Sequence, residues 1–313
     1  MSIRELIIDY LEYCELERNR SKKTLTNYAH YLERFAEYGE KHKTTSPSEI
    51  TLDLVRQYRL FLNANDKETG EARLKKITQN YHLIALRNFL RYLAKKDVVS
   101  LSVDKIELME PEAREVTILN LNQLEDLLAR PNTESLEGKR DKAILEVLFS
   151  TGLRVSELAK LNRGEIDLVR REFSVVGKRR KRRVVFLSRR AAEFLKVWLE
   201  EREDSFEPLF IRLRGSRVKV DILGSDMRLS VRGVQRLVRK YSIMAGISLQ
   251  VTPHTLRHSF ATDLLLGGAD IRAVQELLGH ESITTTQIYT HFTNRELREA
   301  HEKHHGIRTK GSD

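Results

Sequence analysis

The chain has 313 residues, 40% hydrophobic and 32% charged, with only 5 prolines and 15 glycines. That composition excludes a disordered or fibrous protein and leaves room for two domains with ordinary cores. Lys and Arg exceed Asp and Glu by 55 to 45, a net charge of +10 that favours a polyanionic partner, most simply DNA or RNA. Cys14 is the only cysteine, which rules out an internal disulfide and Cys-based zinc sites and suits a reducing cytoplasm. No apolar run reaches membrane-spanning length, and the N-terminal stretch carries too many charges for a signal peptide.

The first hundred residues read as helices. In "SIRELIIDYLEYCELER", Leu6, Ile7, Tyr10, Leu11 and Cys14 recur at helical spacing. Ser21 is placed to cap the next helix, whose stripe is Tyr28, Tyr31, Leu32 and Phe35; these aromatics read as core in preference to base-stacking platforms. "SPSEITLDLVRQYRLFLNAN" is expected to form a third helix and "ARLKKITQNYHLIALRNFLRYLAKKD" a long, basic fourth. Periodicity then lapses, Pro111 appears, and residues 104–116 read as a linker between a helical domain, 1–103, and a second domain, 117–313.

Beyond the linker, "LNQLEDLLARP" and "EGKRDKAILEVLFSTG" are helical patterns, the second stopped by Gly152. "EFSVVGK" and "RRVVFL" read as short strands around six consecutive cations, Lys178 to Arg183, with Val175 and Val176 expected opposite Val184 and Val185. Such a run is a solvated surface, a localisation tag or a hairpin end that delivers a cation to a phosphate; the flanking strands favour the hairpin. Ser188 caps a further helix, and residues 212–230 form a loop or small hairpin whose function is not readable. The helix after it carries Arg232, Arg236, Arg239 and Lys240 on its polar side, either solvated or facing DNA.

Near the C-terminus, Thr252 and Pro253 open a helix that closes at Gly267-Gly268, with His254 and Arg257 three apart in its first turn. A His and an Arg at a helix N-terminus suit an anion. Asp270 caps the next helix, which ends at Gly279 and leaves His280 just past it; "SITTTQIYTHF" is a third short helix bearing Tyr289. Singly, each of these residues has an ordinary structural explanation, such as a polar helix start, an ion pair or a core aromatic.

Together with "TGLRVSELAKL" and "VVGKRRKRRVVFL", the segments "TPHTLRHSFATDLLLGGADIRAVQELLGH" and "SITTTQIYTH" resemble the tyrosine recombinase (phage integrase) family, the Xer type most closely. The His-x-x-Arg spacing, the 23 residues from Arg257 to His280 and the nine from His280 to Tyr289 all fit. The resemblance implies a mainly α fold with a small β-sheet: an N-terminal four-helix SAM-like core-binding domain and an α-rich catalytic domain, closing on DNA as a C-shaped clamp. It implies that Arg154 and Arg257 clamp the scissile phosphate, that His254 and His280 hydrogen-bond it, and that Tyr289 is the nucleophile. Lys178 would protonate the leaving oxygen, with Lys181 the rival, and Glu157 would be the supporting carboxylate.

The residue types suit that chemistry. Guanidinium and imidazole donors on the equatorial oxygens act as an oxyanion hole, each contributing about 10²–10³ in rate. A phenol with a pKa of roughly 10 needs neighbouring cations before it attacks, and a 5′-alkoxide needs an acid to leave. No Asp/Glu cluster marks a two-metal site and no P-loop is present, so no metal, nucleotide or other cofactor is expected.

DNA contacts are expected from Arg179, Arg180, Lys181, Arg182, Arg232 and Arg236, with the remaining arginines of the basic run holding flanking phosphates. In the first domain, Arg20, Lys22, Lys23, Lys75, Lys76, Gln79 and Asn80 face either DNA or solvent. The implied partners are duplex DNA with inverted half-sites and a homotetramer, or a heterotetramer with a second recombinase, assembled by trans-docking of the C-terminal helix "TNRELREAHEKHHG". The protein is expected in the cytoplasm at the nucleoid, with no membrane partner. The need for an activating partner protein stays open. So does the choice between chromosome-dimer resolution and integration or excision of a mobile element, and a catalytically silent DNA-binding protein is the alternative from another class.

Overall fold

The computed structural model describes residues 1–64, 74–110, 117–177, 182–213, 221–280, 282 and 286, and the chain divides into two compact units, Met1–Arg114 and Glu115–Asp313. The first contains helices α1 (Ile3–Leu16), α2 (Lys22–Lys41), α3 (Leu52–Asn63) and α4 (Lys76–Lys95). Local chemistry sets their starts: Ser2, Ser21 and Thr51 each accept a backbone N–H of the first turn. The third helix begins later than its sequence pattern, because Pro47 opens only a 3-10 turn, Ile50 is extended, and Thr51 is the cap. Leu6, Leu32, Phe35, Tyr58, Leu83, Leu86 and Phe89 are fully buried between the helices. His82 lies among them, its Nδ1 3.0 Å from the Tyr58 hydroxyl.

The chain after α4 stays attached to this unit. Ile106 is buried in its core, and the Asn80 amide donates to Met109 O at 2.7 Å while accepting from Met109 N–H at 3.1 Å. Gln79 is buried and donates to Leu74 O and Asn63 Oδ1. Gln79 and Asn80 therefore spend their amides on contacts within this unit, whereas Lys75 and Lys76 are exposed.

The second unit contains α5 (Leu121–Ala129), α6 (Leu136–Thr151), α7 (Val155–Leu158), β1 (Ile166–Asp167), β2 (Glu172–Val176), β3 (Arg182–Phe186), α8 (Arg189–Glu200), α9 (Val231–Met244), α10 (Pro253–Leu266) and α11 (Ile271–Leu278). Helix α6 runs through its middle, and Ile144, Leu145, Val147 and Leu148 are wholly inaccessible. Even its polar positions are buried and paired: Lys142 with Leu128 O and Glu146, Arg140 with Asp141, and Asp141 with the Tyr241 hydroxyl. Trp198 of α8 fills the adjoining layer and donates to Leu209 O.

The three strands form one antiparallel sheet in the order β1-β2-β3. Val175 pairs with Arg183 and Val176 with Arg182, so the expected valine-to-valine register is corrected by two residues. Both arginines belong to β3, and strand alternation puts Arg183 and Val185 on the inner face with Phe173 and Val175. Within 212–230, Arg228 bridges back to Ile211 just before the segment and Ser225–Met227 is a 3-10 turn; residues 214–220 lie outside the described residues. No helix among the described residues is long and apolar enough to cross a membrane.

Candidate active site

The sequence "TGLRVSEL" forms a sharp corner. Gly152 ends α6 with φ 57°, Leu153 turns into the core, and Arg154 caps α7. One turn on, Glu157 reaches back: Oε2 accepts the Arg154 backbone N–H at 2.9 Å and Oε1 accepts Arg154 Nη1 at 3.0 Å. The side chain of Arg154 remains 39% exposed while that of Glu157 is 8% exposed, so the carboxylate lies beneath the guanidinium.

Helix α10 supplies the second arginine. Thr252 caps it by accepting Thr255 N–H, and Pro253 sits in the first turn. Arg257 is almost completely buried and donates through Nη1 to Gly152 O at 2.5 Å and through Nη2 to Leu278 O at 2.7 Å. His254, one turn earlier, is exposed, and its ring lies edge-on to His258 at 4.3 Å.

Both arginines meet at the end of α11, where unpaired carbonyls and the helix dipole attract cations. Three consecutive carbonyls each accept a different guanidinium: Leu277 O from Arg183 Nε at 3.2 Å, Leu278 O from Arg257, and Gly279 O from Arg154 Nη2 at 3.2 Å. His280 follows directly, its Nδ1 2.9 Å from Thr286 Oγ1. Arg183 also binds both Glu157 oxygens, Nη1 to Oε1 at 3.0 Å and Nη2 to Oε2 at 2.8 Å.

The structure thus joins Arg154, Glu157, Arg257 and the His280 corner through hydrogen bonds, with His254 on the first turn of the helix that carries Arg257. Sequence reasoning missed Arg183 as part of this cluster: its side chain points inward and pairs with Glu157, a placement that the inward alternation of Val185 and Leu187 could have supplied. Arg182, Arg232 and Arg236 are exposed. Lys178, Arg179, Arg180, Lys181 and Tyr289 lie outside the described residues. Among the described residues, no group of three or more His, Cys, Asp or Glu is arranged to hold a metal ion.

The electrostatics follow from burial among cations. Burial pushes the Glu157 carboxyl up, but the Arg183 hydrogen bonds, the Arg154 N–H and both guanidinium charges outweigh it and leave its pKa lowered. His280 is pushed down to about 4, first by burial and then by the Arg257 and Arg154 charges; His254, although part of its surface is exposed, is also lowered, first by the desolvation its packed neighbours impose and then by the same two charges. Both imidazoles are therefore neutral at pH 7 before an anion arrives, and each presents one N–H donor. Burial likewise lowers His258 and the core residue His82 to about 4.

These histidines bind protons less readily folded than unfolded, so their contribution to stability is complete above the unfolded value, roughly 6.5, and is lost as pH falls towards 4. Thermal melts between pH 7.5 and 4 are expected to drop steadily through that window, with His82 alone contributing about 3 kcal/mol at the acid end. A melting temperature independent of pH across it would contradict this assignment.

Paired guanidinium forks beside neutral imidazoles constitute a donor set for a phosphoryl group. Comparison with known proteins identifies the family. Residues 117–296 match the phage integrase family and residues 7–97 match its N-terminal SAM-like domain. The chain belongs to the phage integrase family. Its similarity runs to tyrosine recombinases of the Xer type. It is 32% identical to tyrosine recombinase XerD of Staphylococcus saprophyticus, covering 96% of this chain and 98% of that protein. It is 34% identical to tyrosine recombinase XerC of Syntrophus aciditrophicus, covering 96% and 97%. Among solved structures, the XerH site-specific recombinase bound to palindromic difH substrate in a post-cleavage complex aligns with a TM-score of 0.69 at 25% identity, over 92% of this chain and 82% of that one.

Proposed function

We propose that this Xer-type site-specific tyrosine recombinase cuts and rejoins duplex DNA at inverted half-sites through a 3′-phosphotyrosyl intermediate, with Tyr289 as the nucleophile. Arg154 and Arg257 bind the non-bridging oxygens of the scissile phosphate, and His254 and His280 add hydrogen bonds to the same group. The Tyr289 oxygen attacks phosphorus as it loses its proton, with His254 assisting. The P–O5′ bond breaks, and a lysine of the basic run, Lys178 or else Lys181, gives a proton to the departing oxygen. The reverse attack by a 5′-hydroxyl restores the phosphodiester and frees Tyr289. One ester replaces another at each step, so neither ATP nor a metal ion is needed to conserve the bond.

The observation that carries this reading is the convergence of Arg154, Arg257 and the His280 corner on the end of α11. Each donor is held by protein contacts before substrate arrives, which is the preorganisation that transition-state charge requires. Exposed Arg182, Arg232, Arg236, Lys75 and Lys76 are assigned to DNA contact. The working assembly is a tetramer of this chain, or of this chain with a second recombinase, on two DNA sites. Similarity to XerD and XerC along 96% of the chain favours chromosome-dimer resolution over the mobility of an element.

Covalent capture tests the proposal. The protein is incubated with fragmented DNA from its source, quenched in detergent, and the protein-linked ends are sequenced. Adducts at one palindrome-like locus are expected from the wild type and none from Tyr289→Phe. Adducts that persist in that variant would remove Tyr289 as nucleophile. Sequence-specific binding without any adduct, with and without added partner recombinase, would favour a silent DNA-binding protein.

A further inference from the structure

We infer that Arg183 is a positioning residue for this chemistry: through the shared Glu157 carboxylate it sets the direction of Arg154, and through Leu277 O it fixes the helix end that presents His280. The inference rests on the reading of Arg154 and His280 as ligands of the scissile phosphate.

Glu157 has two oxygens and four donors. Arg154 supplies one side-chain and one backbone N–H, and Arg183 supplies the other two through Nη1 and Nη2. Without Arg183, a nearly buried carboxylate would have one guanidinium left to neutralise it, and that guanidinium belongs to Arg154. The favourable response is for Arg154 to turn its fork onto Glu157, because paired parallel hydrogen bonds are the preferred geometry of this ion pair. That rotation takes donors away from the phosphate. Arg183 prevents it by occupying half of the carboxylate.

Its third contact acts on a different part of the site. Nε donates to Leu277 O, two residues before Gly279 O, which Arg154 holds. Strand β3 and helix α11 are thereby tied to one another and to α7 through a single side chain. Arg183 also lies two residues after Lys181, so the anchor begins where the segment carrying both candidate acids ends. A direct role on DNA does not fit: the side chain is 12% exposed, and Nε, Nη1 and Nη2 all have protein acceptors.

The test uses full-length Arg183→Met and Arg183→Lys on a duplex carrying the captured site. Single-turnover adduct formation at saturating DNA is expected to slow about 10²-fold in the methionine variant, the scale of a misplacement of about an ångström. The lysine variant restores charge but not the two-pronged grip and recovers only part of the rate. DNA affinity should change less than about threefold, with the slope of log K against log salt unaltered, since no phosphate contact is lost. Adding Glu157→Gln to Arg183→Met should cost no more than the worse single change, because both act through one contact.

A slope shallower by about 0.9 would make Arg183 a phosphate contact and overturn the inference. Undiminished cleavage by Arg183→Met would overturn it too. If the methionine variant does not fold, the lysine variant decides: wild-type saturating rate means that the fork geometry is irrelevant, and a slowed rate at unchanged affinity supports positioning. Failure of the wild type to form any adduct, with and without an added partner recombinase, counts against the proposed strand cleavage itself, an outcome separate from both.

Discussion

Arg257→Ala is expected to abolish strand cleavage, lowering adduct formation by about 10³-fold or more, and to lower stability by about 3–5 kcal/mol. The two losses share one cause. The buried guanidinium donates to Gly152 O and Leu278 O, carbonyls at the ends of two helices buried deep in the unit. Truncation leaves both unpaired, at about 1–3 kcal/mol each, and leaves a cavity where the side chain stood. Lysine keeps the charge but cannot reach two carbonyls and a phosphate together, so Arg257→Lys should retain more stability than activity. Melting curves and single-turnover cleavage on the same preparations separate the effects. An alanine variant as stable as the wild type would mean that these hydrogen bonds do not hold the site together.

The second large effect is expected at Gly152. Its φ of 57° lies in the left-handed region, and a Cβ there would come within 2.4 Å of Phe260 Cδ1 and 3.0 Å of Leu278 Cδ2. Gly152→Ala therefore adds overpacking to backbone strain, about 3 kcal/mol together and roughly 6–12 °C in melting temperature. Gly246 provides the comparison: its φ is 67° and a Cβ there would meet nothing within 4 Å, so Gly246→Ala should cost only about 1 kcal/mol. The Gly152 variant should also cleave slowly, because its carbonyl is an acceptor for Arg257. Equal losses at the two glycines would show that the Phe260 contact relaxes at no cost.

What could be read from the sequence was local. Caps at Ser21, Ser188, Thr252 and Asp270 stand where they should because each depends on a side chain and an N–H two or three residues away. The spacing of His254, Arg257 and His280 was likewise visible as a pattern. Strand β1, two residues long, was not legible, since only its pairing with β2 defines it. The register of β2 and β3 was misjudged because Val-Val repeats on both strands offer no preferred partner, whereas an inward arginine with a carboxylate beneath it does. Arg183 was hidden inside a uniform run of cations, where charge conceals the alternation of faces. Its partner carbonyl is 94 residues away, and the Arg257 to Gly152 bond spans 105. Such contacts are decided by packing, and no window of sequence contains them.

The arginine-bound end of α11 also fixes the rotation of that helix about its own axis. The carbonyls of Leu277 and Leu278 point about 100° apart around the axis, so the arginines from β3 and α10 that hold them approach the helix end from different sides, while Arg154 takes the carbonyl of the left-handed cap residue Gly279. Turning α11 by a single residue would offer each guanidinium its neighbour's acceptor and swing His280 out of place. Changes in the length of the 267–270 connection before the helix can therefore be accommodated only if the loop absorbs them and α11 keeps its phase.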